Sequence, residues 1–152
     1  MPRLSEQVLI PHAADNLYDL VRDIRQYPQF IRWIERMKVM DEMDENGVYS
    51  CTGEVDVHFK GFDERFSTRV SANHANRRVD VTLLEGPFRH LRNRWHLDAV
   101  EPKRTRVHFY IDYEFRNPVL RLLARTNSRL AVDRIMTAFR SEADRRFGSP
   151  SG

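Results

Sequence analysis

A single cysteine, Cys51, excludes an internal disulfide framework and fits a reducing compartment. Lysine is nearly missing: of 25 Lys and Arg residues only Lys38, Lys60 and Lys103 are lysines. No apolar run in the chain approaches the roughly 20 residues that a bilayer-spanning helix needs. The first residues, MPRLSEQVLIPHAADN, hold too short an apolar run for a secretory signal and include acidic side chains. Internal repeats, low-complexity tracts and dividing linkers are absent as well. These absences describe a cytoplasmic protein, and 152 residues suffice for one domain burying about two-thirds of its unfolded surface. We expect that domain to span residues 1–148, with 149–152 as a short disordered tail.

The chemistry-bearing residues do not converge. His90 and His96 share strand parity but sit roughly 20 Å apart along an extended chain. His58 and His108 fall on outward strand positions, and no histidine pair has i, i+4 helical spacing, so no metal site is expected. Cys51 faces inward without an inward histidine as base, so no catalytic residue is assigned.

What the sequence does contain is alternation. In Thr105–Phe115 every second residue (Val107, Phe109, Ile111, Tyr113, Phe115) is large and apolar, the mark of a strand with one dry face. Tyr49–Phe59 and Phe62–Val70 alternate likewise, and a tight Lys60-Gly61 turn sets Phe59 opposite Phe62, Val55 opposite Phe66 and Cys51 opposite Val70. A turn at Asn73–Asn76 then places Val79, Val81 and Leu83 against Val70, Thr68 and Phe66. An odd loop at Gly86-Pro87-Phe88, or a bulge, brings Leu91 and Trp95 to the dry face. With Arg3–Ile10 and Lys38–Asp44, the chain has seven antiparallel strands. Two short helices are expected after the first strand, HAADNLYDLVRDI and QFIRWIERM, separated at Tyr27-Pro28. Asn117 and Pro118 cap and open a long terminal helix that runs to about Phe147, stopped by Gly148. At 1.5 Å per residue it is about 45 Å long, enough to lie across a curved sheet. The class is α+β.

This order of elements resembles the helix-grip fold of the START/Bet v 1-like (polyketide cyclase/dehydrase) superfamily. QYPQFIRW (26–33), FKGFDERFSTRV (59–70), EGPFRHLRNRWHL (85–97) and YEFRNPVLRLL (113–123) resemble segments of its coenzyme Q-binding START-domain family, which also contains bacterial ribosome-association toxins. The chain departs from that family at Arg32-Trp33-Ile34, where Pro-Trp-Cys is common. The resemblance implies a cavity between sheet and terminal helix that binds ubiquinone, in support of respiration or quinone biosynthesis. It also implies peripheral contact with the inner membrane and no catalytic cofactor. Its other branch implies the large ribosomal subunit and its RNA as partner, and more distant relatives of the fold are cyclases or hydrolases.

Dry-face parity supplies the candidate cavity. Phe59, Phe62, Phe66 and Val81 come from the middle strands; Leu91, Asn93 and Trp95 from the sixth; Phe109, Ile111 and Tyr113 from the seventh. Leu123, Ile135 and Phe139 come from the helix. Gly53 and Thr68 would spare volume, and burying a few hundred Å² of quinone at about 25 cal/mol per Å² suffices for micromolar affinity after entropic costs. Two polar residues, Glu64 and Asn93, share the dry face. Glu64 could bond a ligand's polar head, pair with an arginine such as Arg32, or turn to solvent at a bulge. Tyr27, Phe30 and Trp33, with Gly86, Pro87 and Phe88, sit where periodicity breaks and are expected to frame the entrance. Arg121, Arg125 and Arg129 recur at i, i+4 on the helix, and Arg92 and Arg94 share a strand. They are either solvated faces or a surface for phospholipid headgroups or ribosomal RNA.

Overall fold

The computed structural model describes residues 3–59 and 61–148; the expected tail at 149–152 and Lys60 of the turn lie outside them. The elements run β1 (Arg3–Ile10), α1 (Ala14–Arg22), a 3-10 turn (Ile24–Gln29), β2 (Ile34–Glu45), β3 (Val48–Phe59), β4 (Phe62–Asn73), β5 (Arg78–Glu85), β6 (Phe88–Glu101), β7 (Arg104–Phe115) and α2 (Pro118–Phe147). One antiparallel sheet of seven strands is ordered β1-β7-β6-β5-β4-β3-β2. From β2 to β7 each strand neighbours the next in sequence, and β1 closes beside β7, leaving β1 and β2 as the two edges.

Alternation set the register where turns are tight. Phe59 pairs with Phe62, Val55 with Phe66 and Cys51 with Val70, as expected. Trp95 pairs with Phe109 and Asn93 with Ile111. The connection after β5 is Gly86-Pro87 alone, with Phe88 already in β6, yet the odd register holds, with Val81 opposite Asn93. The β4–β5 register differs by two residues: Val79 faces Ala72, Val81 faces Val70 and Leu83 faces Thr68. Asn73 still pairs with Arg78, so the turn is His74–Arg77 and starts one residue later than expected. Because the slip is even, every side chain keeps its face.

The second short helix is not QFIRWIERM. The 3-10 turn lies upstream, and β2 starts at Ile34, four positions before Lys38. Apolar spacing at Phe30, Ile34 and Met37 suits a helix, but the free edge of β3 claims the segment. Ile34 pairs with Val57, and His58 N–H donates to the Trp33 carbonyl at 2.8 Å. Ladder bonds unavailable to an isolated peptide override the local preference. β2 is itself broken by a bulge between Met40 and Met43, where Asp41 has φ 53°. The Arg69 guanidinium donates to the Asp41 carbonyl and the Thr52 hydroxyl, both at 3.0 Å, and fixes that kink.

α2 starts as its sequence dictates. The Asn117 side chain accepts from the N–H groups of Val119 at 2.7 Å and Leu120 at 3.4 Å, and Pro118 opens the first turn. Its far end is latched by buried His12, whose ring Nε2 meets the Asp144 carboxylate at 2.7 Å. Buried Thr105 donates to the His12 carbonyl. Midway, Arg129 bonds Glu6 on β1.

Candidate ligand-binding hollow

The concave face of the sheet carries two separate apolar clusters. Toward the α2 C-terminus, Phe139 packs its ring on Trp95 (centroids 4.7 Å apart) and Tyr27 (5.3 Å). Around the β6 start, Phe88 stacks on Phe115 at 4.5 Å and meets Phe66 edge-on at 5.0 Å, with Ala124 of α2 above. Between the clusters the helix does not close on the sheet. A hollow of about 270 Å³ remains there. Beside it, sharing Trp33, Phe62 and Tyr113 as wall, an outer chamber of about 160 Å³ reaches the first turns of α2. A roughly 150 Å³ apolar cavity holds one benzene ring, so the space is ligand-sized.

Nearly every expected wall residue borders this space. Phe62, Phe66, Val81, Leu91, Asn93 and Trp95 line the hollow from the middle of the sheet. Phe109, Ile111 and Tyr113 line it from β7, and Ile135 and Phe139 from α2. Phe59 and Leu123 line the outer chamber. Val55, Val57 and Val70 also border the hollow, and their dry-face parity made them legible. Ile34 and Met37 border it too, hidden by the helical reading of β2, and Ile24 joins them from the 3-10 turn. Gly53 spares no ligand space, because a Cβ there would meet Ile24 Cδ1 at 2.7 Å.

The two polar dry-face residues part company. Asn93 Nδ2 donates to the Tyr110 carbonyl at 2.8 Å, and its Oδ1 accepts from Trp95 Nε1 at 3.0 Å. It therefore sets the indole's orientation while bordering the hollow. Glu64 faces Val57 in register but is half-exposed at the end of the sheet and borders neither chamber. Thr68 is buried against the hollow, with no hydrogen bond from its hydroxyl among the described residues. Tyr113 and Ser128 both border the two chambers, and burial raises the phenol's pKa. The Cys51 thiol is fully buried, and loss of water pushes its pKa up, so it stays protonated at neutral pH.

The positions expected at an entrance scatter. Tyr27 is a wall residue whose hydroxyl donates to the Val21 carbonyl at the end of α1. Phe88 is 4% exposed, inside the second cluster. Gly86 lies over Phe66, where a Cβ would come within 2.4 Å of the Phe66 Cβ, and half-buried Pro87 follows it. Trp33 alone borders the hollow, the outer chamber and an external groove that it shares with Phe30, Arg32 and Arg134. Its ring lies 5.2 Å from Phe59, over which Arg134 also sits at 5.8 Å. The arginines are dispersed: Arg92 and Arg94 lie on the outer sheet face, with Arg94 held by Asp80 at 2.8 Å. Arg121, Arg125 and Arg129 ride on α2, with Arg129 tied to Glu6 and Asp133.

A curved antiparallel sheet gripping one long helix around an apolar hollow defines a START/Bet v 1-like domain of the hydrophobic-ligand-binding class. The chain belongs to the family described as polyketide cyclase/dehydrase and lipid transport, which matches residues 10–140. It is 30% identical over 122 residues to the ribosome association toxin RatA of Escherichia coli K12, covering 80% of this chain and 74% of that one. It is 24% identical over 140 residues to the mitochondrial coenzyme Q-binding protein coq10 of Schizosaccharomyces pombe, covering 89% and 82%. The Zhui aromatase/cyclase of Streptomyces sp. R1128 shares the fold with a TM-score of 0.82 at 18% identity, over 99% of this chain and 98% of that one. No helix among the described residues is long and apolar enough to cross a membrane.

Proposed function

We propose that the hollow binds an isoprenoid quinone of the ubiquinone type, and that the protein is a non-enzymatic quinone carrier or chaperone serving respiration or quinone biosynthesis. The observation behind this reading is the unfilled apolar space between sheet and α2, walled by aromatic rings and offering a few hydroxyls but no paired acid and base. A quinone has a flat ring for the aromatic walls and carbonyls for hydroxyls such as Thr68. The coenzyme Q-binding relative supports the same ligand class. Lipids extracted from freshly purified protein and weighed by mass spectrometry should contain ubiquinone. Protein that carries no isoprenoid lipid, and whose tryptophans are not quenched by added quinone, would sink the proposal.

A second reading is action as a ribosome-association toxin on the large subunit, supported by the 30% identity to RatA and by exposed arginines such as Arg92 and Arg125. Salt-sensitive comigration with large subunits in sucrose gradients would favour it. A cyclase-like or hydrolase-like activity is the third reading, supported by the shared fold alone.

A further inference from the structure

We propose that the external groove beside Trp33 is an anion subsite, where Arg32 and Arg134 hold the carboxylate or phosphate head of a single-chain amphiphile whose apolar body lies in the outer chamber and the hollow. This rests on the hollow taking an apolar body, not on that body being a quinone. It adds acidic amphiphiles to the ligands that the domain accepts.

Position makes the first case. The groove, about 700 Å³, lies between the Phe30–Trp33 segment and one flank of α2. Trp33 is its common wall with the outer chamber and with the hollow. The Trp33 ring is 5.2 Å from Phe59, which lines the outer chamber, and the Arg134 guanidinium lies 5.8 Å from the centre of that same Phe59 ring. A fixed positive charge therefore stands at the chamber's rim. Along α2, Ala131 lines both chambers, while Arg134 and Ala138, at i+3 and i+7, line the groove. These positions share one stripe of the helix, and the two alanines put little bulk between it and Trp33.

Charge makes the second. Two carboxylates border the groove, and both are taken: Asp133 pairs with Arg129 at 3.3 Å, and Glu142 with Arg145 and Arg146, each at 2.6 Å. Arg32 and Arg134 are exposed, and their side chains form no ion pair or hydrogen bond among the described residues. Two guanidinium forks with free donors on one groove match a carboxylate or a phosphate, which accepts paired N–H bonds. The charged head stays in the wet groove while its tail leaves water, so no charge is buried without a partner. A neutral quinone makes no use of two full positive charges. Arg32 also stands where the family that the chain resembles commonly has proline, so this contact is the chain's own.

The test compares decanoate and decyl phosphate with 1-decanol, the same chain without charge, as displacers of the neutral dye Nile red from the full chain at neutral pH. At least one of the two anions should bind wild type about tenfold or more tighter than the alcohol at low salt, and that margin should shrink near ~0.5 M salt. Arg32→Ala/Arg134→Ala should remove the margin by weakening the anion alone, leaving the alcohol within about twofold. Arg104→Ala/Arg140→Ala takes away two exposed arginines outside the groove and should keep the margin; its loss there would reduce the preference to net charge and overturn the subsite. Thermal unfolding checks that each variant folds. Equal binding of anions and alcohol by wild type, or a preference that survives the loss of Arg32 and Arg134, overturns the inference. Decylubiquinone, followed by tryptophan quenching, separates this claim from the quinone reading. Quinone binding without an anion preference refutes the subsite alone, whereas an anion preference without quinone binding supports the subsite and refutes the quinone. Failure of every ligand refutes both.

Discussion

Replacing Val81 with phenylalanine measures whether the space between sheet and helix is empty. Val81 points into the hollow from β5, between Val70 and Asn93 on the neighbouring strands. In a filled core, adding atoms at such a site forces off-rotamer side chains and costs about 1–3 kcal/mol. Here about 270 Å³ stands open, and one aromatic ring needs roughly 150 Å³. The extra four carbons of Val81→Phe therefore enter free space. At about 0.8 kcal/mol per buried carbon they stabilise by at most ~3 kcal/mol, less ~1 kcal/mol of lost side-chain freedom. Urea unfolding followed by far-ultraviolet circular dichroism should show a change between about zero and +2 kcal/mol with an unaltered slope. Affinity for added quinone, followed by tryptophan quenching, should fall at least about tenfold in the same variant. A loss of 1–3 kcal/mol would mean that the protein's own side chains already fill the space, and the ligand reading would fail with it.

Two further outcomes follow from local geometry. Gly86→Ala places a methyl 2.4 Å from the Phe66 Cβ at a φ of 154°, so Phe66 and the β5–β6 loop must move apart. Unfolding should show a loss of about 2 kcal/mol or more, and a loss below ~0.5 kcal/mol would refute the close approach. Glu142, 5% exposed, is held by Arg145 at 2.6 Å and Arg146 at 2.6 Å, and those bonds depress its pKa below the ordinary 4.5. The folded carboxylate resists protonation more than the unfolded one, so its contribution is whole above about 4.5 and fades as pH falls through the lower folded value. Glu142→Gln should lower the urea midpoint at neutral pH and flatten its decline below about pH 4.5; parallel pH profiles for the two proteins would refute the pairing.

Strand parity carried most of the fold because six consecutive antiparallel strands, β2 to β7, joined by short turns leave little freedom in register. A turn that starts one residue later, at His74–Arg77, shifted one pairing by two and still left Val79, Val81 and Leu83 on the correct face. Parity also located the walls of the hollow, since an inward position is inward whether it meets a helix or a ligand. Three things lay beyond it. The stretch before Lys38 joins β2 because of a remote edge of β3, a cause with no local trace. The space beside Gly53 is taken by Ile24 from the 3-10 turn, a contact that period-two alternation cannot see. Asn93 and Glu64 looked equivalent as polar residues on a dry face, yet one reaches a carbonyl and an indole while the other lies at the sheet's end. Where the sheet stops curving over the helix is a three-dimensional fact, and it decided between them.

The bulge in β2 bears on how copies of the protein live together. A long straight rim strand offers its free N–H and C=O groups to any similar rim and invites stacking into fibres. At Asp41 the ladder is thrown out of step, and Arg69 holds it so. The residues beyond it, Glu42, Asp44 and Glu45, add repelling charge along the same margin. This margin of the sheet is therefore a poor template for strand pairing with a second copy.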